Sequence, residues 1–309
     1  MPVNSHVQIP ASIMRGFSCD RKGKETYVLE LDNREPTTET IKRYSTVYGY
    51  FEDAAEELLS KEETAFGMVK NKIIETIRKG ERFEFSDNEL IITKRFITFT
   101  ITRRKDMASM VQSKSVFCDI LGIEIPPSQP IYTTKKLYPN GELLDKYKIT
   151  YLVNKSKVPL VCPENCLYSV NNKTLHKYAP NTPIVVFPLT PITALLICED
   201  TIGNIEVDSD LIIEQLNEDA LRSVYTTHSD FIISAKDDEL KRLQFINDKP
   251  DFQKKVFIEI LLSKLKNCKA ESMGDILSSL EMQMIELAYA NNGLPDDIKE
   301  KFEKYKETQ

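Results

Sequence analysis

Apolar residues recur along this chain at two different periods, and the change of period divides it. Over residues 52–79, Ala55, Leu58, Leu59, Phe66, Val69, Ile73, Ile74 and Ile77 stand at helical spacing and predict an amphipathic helix. Gly67 inside it costs about 1 kcal/mol against Ala. A second helix is predicted over 86–117. Ser86-Asp87-Asn88-Glu89 has the form of a capping box, and no Gly or Pro occurs from Glu81 to Leu121. At 1.5 Å per residue such a helix runs roughly 45 Å. Its first half, from Leu90 to Ile101, is apolar on most sides and must be wrapped by other elements. The abundant Ile and Thr also suit a strand, but length and capping favour helix. The short connection through Gly80 makes the two helices antiparallel neighbours. Pairing them about the loop centre sets Glu63 opposite Arg103 and Glu62 opposite Arg104.

Elsewhere the pattern shortens. Residues 25–31 alternate as a strand that ends in the turn Asp32-Asn33. Pro126-Pro127 and Pro130 close the helical part, and 131–137 with 147–153, about the turn Tyr138-Pro139-Asn140-Gly141, read as a hairpin or two nearby strands. Short runs at 158–161, 166–170, 184–187 and 193–197 follow as further strands. A helix capped by Asp208 or Ser209 runs through Val224, and 231–234 is a last strand. Helices over 251–265, 272–290 and from Pro295 onward finish the chain. Helices grouped and then strands grouped predict an α+β fold: a long antiparallel helix pair, a mainly antiparallel β-sheet and C-terminal covering helices. The division falls between a domain at 1–240 and a C-terminal helical extension at 241–309.

Composition narrows the classes. The 309 residues are 41% hydrophobic and 28% charged, with a formal net charge of -6, which argues against a general polyanion-binding surface. A local basic patch such as Arg103-Arg104-Lys105 keeps nucleic acid open as a partner. No apolar run reaches the ~18–20 residues that span a bilayer, and the N-terminus lacks a signal segment, so the expectation is a cytoplasmic protein with no membrane partner. The six scattered cysteines fit reduced thiols. Cys162 and Cys166 have only His176 nearby, which gives no four-ligand zinc spacing and favours packing in the core. With 10 glycines and no Gly-rich loop or nucleophile elbow, the standard nucleotide cradles are not expected.

Chemistry concentrates near the chain start, where His6, Pro10, Arg15 and Phe17 fall in one short segment. This segment resembles the opening of the uncharacterised prokaryotic DUF4238 family, a His-Tyr-Val-Pro-like motif followed by a basic residue and a Phe. Here His6 stands four residues before Pro10 rather than three. Further points of resemblance follow in order over residues 5–234: Glu56 and Glu63 on an acidic helix, an apolar helix leading to Arg103, Pro188-Leu189-Thr190-Pro191, and Asn217 with Ala220 before Phe231-Ile232-Ile233-Ser234. A Ser-Asp-Asn-Pro stretch of the family corresponds to Pro163-Glu164-Asn165-Cys166. The family carries no established activity. It resembles one that accompanies bacterial antiviral defence genes, which implies a setting and not a reaction.

Two functions from different classes follow. The first is a hydrolase of nucleic acid or another phosphate ester. His6 would be its base or ligand, Glu56 and Glu63 its acids or metal ligands, Arg15 and Arg103 its phosphate holders, and Glu164 and Asn165 substrate-facing loop residues. A divalent metal would fit this donor set, although no metal is specified. The bland alternatives are a Glu63–Arg103 helix–helix ion pair with His6 packed nearby, an Asx-type turn at Asn165, and surface positions for His176 and His228. The second function is a non-enzymatic interaction or sensor module. It would use a protein partner or homodimer seam on the stripe Met273, Ile276, Leu277, Leu280, Met282, Met284, Ile285 and Leu287, which otherwise serves as core.

Overall fold

The computed structural model describes residues 4–5, 9–33, 35–45, 47–48, 53–102, 140–170, 175, 178, 183–200, 202–226, 229–266, 270, 273–291 and 293–307. The chain forms two compact units, Met1–Asn247 and Asp248–Gln309.

The first unit begins with β1 (Asn4–Ser5) and the single helical turn α1 (Ala11–Met14), continued by a 3-10 turn at Arg15–Phe17. Next come β2 (Glu25–Glu30), β3 (Thr37–Thr40), α2 (Ile41–Ser45) and β4 (Val47–Tyr48). The helix pair is α3 (Asp53–Arg78) and α4 (Asp87–Thr102). After it stand β5 (Lys148–Asn154), β6 (Cys162–Pro163), β7 (Tyr168–Val170), β8 (Ile184–Thr190), β9 (Thr193–Cys198) and β10 (Ile205–Val207). Helix α5 (Asp210–Thr226), strand β11 (Phe231–Ser234) and helix α6 (Asp237–Asn247) complete the unit. The fold is α+β, as the grouping of helical and strand patterns predicts.

Among the described residues, one sheet has the order β10-β5-β9-β8-β7 and another β3-β2-β11-β6. Only the β10–β5 pairing in these two sheets is parallel. Helix α5 packs on β6, β7 and β11, and α6 packs on β2 and β11. The contacts of α6 with β2 and β11 carry the first unit past residue 240 to Asn247.

The helix pair forms because each helix has an apolar face for the other and for the sheets. Phe66 of α3 stacks on Phe96 of α4, centroids 4.1 Å apart, and Phe187 of β8 lies 6.1 Å from both rings. Every residue from Phe96 to Ile101 is buried, so this part of α4 is wrapped on all sides, while Ile91 nearer its start is exposed. The capping box at its start is present: Ser86 N–H donates to Glu89 Oε2 at 2.9 Å and Glu89 N–H to Ser86 Oγ at 3.4 Å. The predicted continuation over 103–117 lies outside the described residues, as does the 131–137 strand.

Two expectations are corrected. The run 158–161 is not a strand, because side chains take the bonds that a ladder would use. Asn154 Nδ2 donates to the Val158 carbonyl at 2.7 Å, and the Val161 N–H donates to Asn217 Oδ1 at 3.1 Å. The helix register also differs: Glu62 pairs with Arg95 and Lys72 with Glu89 at 2.6 Å, while Arg104, expected opposite Glu62, lies outside the described residues. Residues 81–86 form a linker without regular structure, anchored where the Phe83 N–H donates to the Tyr151 hydroxyl at 3.0 Å. With Lys72 facing Glu89, the linker has run back along α3 by about one turn before α4 starts.

The second unit holds α7 (Pro250–Lys266), α8 (Met273–Ile276), α9 (Ser279–Ala290) and α10 (Asp296–Glu307) around their own core. Leu261, Leu265, Met273, Leu277, Ile285, Ile298 and Phe302 are buried together there. The Met-rich stripe therefore spends Met273, Leu277 and Ile285 on this core, while Leu287 is exposed. No helix among the described residues is long and apolar enough to cross a membrane.

Candidate functional site

The buried face of α3 changes character along its length. Toward its C-terminal end it is apolar, with Phe66, Val69, Ile73, Ile74 and Ile77. Toward its N-terminal end the same face carries buried carboxylates, Glu56 and Glu62, and between the two regions lies Lys70. Glu56, Glu63 and Lys70 are seven residues apart, so they share one stripe of the helix.

Lys70 is the anomaly in this stripe. Its residue is only 7% exposed, and its ammonium donates to the main-chain carbonyl of Ser12 in α1. An ammonium has three donors, and this one carbonyl is its sole acceptor among the described residues. No carboxylate there pairs with Lys70 or with Arg15, whose side chain is exposed one turn beyond Ser12. Beside the Ser12 carbonyl, the Ser12 hydroxyl oxygen is itself buried and unmatched. Burial, reinforced by repulsion from the Arg15 guanidinium, pushes the Lys70 ammonium down from 10.5 to about 8.

The N-terminal turn is tied to this helix by the Lys70–Ser12 bond and shares its hydrophobic core. Ile9, Ile13, Met14 and Phe17 are fully buried and share a core with Phe66, Val69, Ile73 and Phe96. On its other side, a Cβ at Gly16 would stand 2.2 Å from the Leu189 carbonyl oxygen, so only glycine lets the turn approach β8 this closely. Arg15 is therefore held at a set position by a turn clamped between α3 and β8.

Of the residues singled out in the sequence, Arg15 stands beside the turn that Lys70 of α3 holds through the Ser12 carbonyl, and Glu56 and Glu63 lie on α3 itself. Glu56 is buried and Glu63 half-buried, and neither is without a partner. His6, Arg103, His176 and His228 lie outside the described residues, and with them the expected Glu63–Arg103 pair. The helix–helix ion pair that is described joins Glu62 to Arg95, the carboxylate 5% and the guanidinium 31% exposed.

Glu164 and Asn165 have structural tasks. Glu164 Oε2 accepts from the Asp230 N–H at 2.6 Å, and Asn165 Oδ1 from the Leu167 N–H at 3.2 Å, the Asx-type turn that its sequence allowed. Both are buried, at 4% and 1% exposure, where a loop that presents them to substrate would leave them open. Cys166 next to them takes φ 60°, the left-handed conformation that closes the turn between β6 and β7. Cys162 and Cys166 are fully buried, and desolvation raises the Cys162 thiol well above its ordinary value, which opposes metal ligation by a thiolate. Among the described residues no group of three or more His, Cys, Asp or Glu is placed to hold a metal ion.

Sequence reasoning missed Lys70 and Ser12. The signal for Lys70 was present: it stands four residues after Phe66 and three before Ile73, a cation inside an apolar helical stripe. No family model, no curated protein and no solved structure matches this chain.

Proposed function

We propose that this protein binds and hydrolyses a phosphate ester at the face where the N-terminal turn meets α3, with nucleic acid as the expected substrate. Arg15 and Arg103 would hold phosphate, Glu56 and Glu63 would serve as acids or as ligands of a divalent metal, and His6 as the base or a further ligand. One observation carries the reading: the Lys70 ammonium donates to the Ser12 carbonyl, which seats the turn bearing Arg15 on the stripe that carries Glu63 and Glu56. Glu63 lies two helical turns before Lys70, roughly 10 Å along the axis, within reach of one nucleotide-sized ligand. The resemblance to the DUF4238 family supports the same residue set and adds a bacterial defence setting.

The test is incubation of the full chain with labelled RNA and DNA, with and without Mg²⁺ or Mn²⁺, beside the His6→Ala and Glu63→Gln variants. Metal-dependent cleavage that falls in both variants is the expected result. Equal activity in all three proteins, or none in any, overturns the reading.

A further inference from the structure

Nearly all buried polar atoms in proteins find a partner, and a buried charge is normally paired. Lys70 breaks both rules, with two of its three N–H donors unmatched among the described residues and no carboxylate beside it. Ser12 adds a buried hydroxyl oxygen without a partner, and Arg15 adds a second positive charge. A water molecule would satisfy the hydrogen bonds but not the charge. An anion satisfies both.

The burial selects among anions. A phosphodiester inside a polynucleotide carries a substituent on each side and one negative charge, so it meets proteins best through exposed cations. A phosphate monoester ends its chain, presents three acceptor oxygens and carries a charge of roughly -1.5 to -2 at neutral pH, which matches two cations. Of the two, the monoester is the one whose free end can insert its oxygens toward an ammonium that is 7% exposed.

We propose that Lys70, Ser12 and Arg15 form a cradle for a phosphate monoester bound end-on: Lys70 Nζ and the Arg15 guanidinium supply the charge, and the Ser12 hydroxyl donates to a phosphate oxygen. This deepens the phosphate-ester reading by naming the terminal monoester as ligand, and it shares Arg15 with that reading, but it requires no hydrolysis. The ligand is a small phosphorylated metabolite or the phosphorylated end of an oligonucleotide.

Calorimetric titration of the full chain tests it with three probes: inorganic phosphate, a 5′-phosphorylated dinucleotide and the same dinucleotide with a 5′-hydroxyl. Phosphate and the phosphorylated dinucleotide are expected to bind, and the 5′-hydroxyl form at least tenfold more weakly. Binding of phosphate alone assigns the cradle to small monoesters, and equal binding of both dinucleotides overturns the end-on reading. Lys70→Met and Arg15→Gln should each weaken phosphate binding tenfold or more, and Ser12→Ala by a smaller factor. Arg15 is exposed, so its variant remains informative should Lys70→Met fail to fold. Unchanged phosphate affinity in Arg15→Gln and Lys70→Met sinks the cradle, even with nuclease activity intact. Lys70-dependent phosphate binding without cleavage of RNA or DNA upholds the cradle and overturns the hydrolase.

Discussion

Lys70→Met should make this protein more stable at neutral pH. Holding the ammonium near a pKa of about 8 instead of 10.5 costs about 3 kcal/mol, since each pKa unit is worth about 1.4 kcal/mol. Methionine keeps most of the side-chain length, removes the charge and gives up one hydrogen bond to the Ser12 carbonyl, worth about 1 kcal/mol. The net expectation at pH 7 is a gain of about 2 kcal/mol. Its pH dependence is set by the direction of the shift. Below pH 8 the folded and unfolded chains both carry the charge, so the full cost stands. Between pH 8 and 10.5 the folded protein releases the proton first, the unfolded chain binds more protons, and the parent gains stability as pH rises. The advantage of Lys70→Met should therefore shrink through that window and be gone above it. Equilibrium urea unfolding at several values from pH 7 to 10.5, followed by circular dichroism, measures the difference, and subtracting parent from variant cancels other titrating groups. A variant less stable than the parent at pH 7, or a constant difference across the window, would refute the argument.

Other perturbations test the framework around the site. Arg95→Met should destabilise by about 2–3 kcal/mol in a denaturant titration, because it strands the buried Glu62 carboxylate, with the Arg95 exposure trimming the loss. Glu89→Gln should cost about 1–2 kcal/mol at pH 7 through the capping box and the Lys72 contact. The bond from Lys72, with the Ser86 N–H, holds the Glu89 carboxyl down at about 2, so this contribution is present above 4.5 and lost as pH falls toward 2, where parent and variant should unfold alike. Asn217→Leu should cost about 3 kcal/mol, since Asn217 bonds Val161 N–H at 3.1 Å, and Pro159 O and Glu239 Oε1 each at 2.8 Å, and leucine leaves all three buried without it; an unchanged urea midpoint would contradict this.

What the sequence made legible follows from where local signals suffice. The capping box at Ser86, the apolar spacing of α3 and the strand at 231–234 are set by neighbours in the chain, and they stand where expected. The register of the helix pair was not legible, because it depends on Phe83 reaching Tyr151, a contact across 68 positions. The run 158–161 was misread for the same reason: its bonds go to Asn217 on a distant helix. Strand β3 is polar throughout and β10 alternates over only three residues, so alternation had little to act on. At the site, Arg15 and Glu63 were legible as residue types, but the bond from Lys70 of α3 to the Ser12 carbonyl, a contact across 58 positions, was not. Glu164 and Asn165 sit in a turn after Pro163, which suggested presentation to a ligand, yet both are buried and bond main-chain N–H groups.

Among the described residues the buried Lys70 ammonium has no counter-charge, and in the proposed cradle a bound anion supplies one. Lysine side-chain NMR, titrated from pH 6 to 11 with and without inorganic phosphate and assigned through Lys70→Met, reads this directly. The expected result is a Lys70 midpoint near 8 in the free protein and a clear upward shift with phosphate. A midpoint near 10.5 without phosphate, or one that phosphate leaves in place, would contradict it.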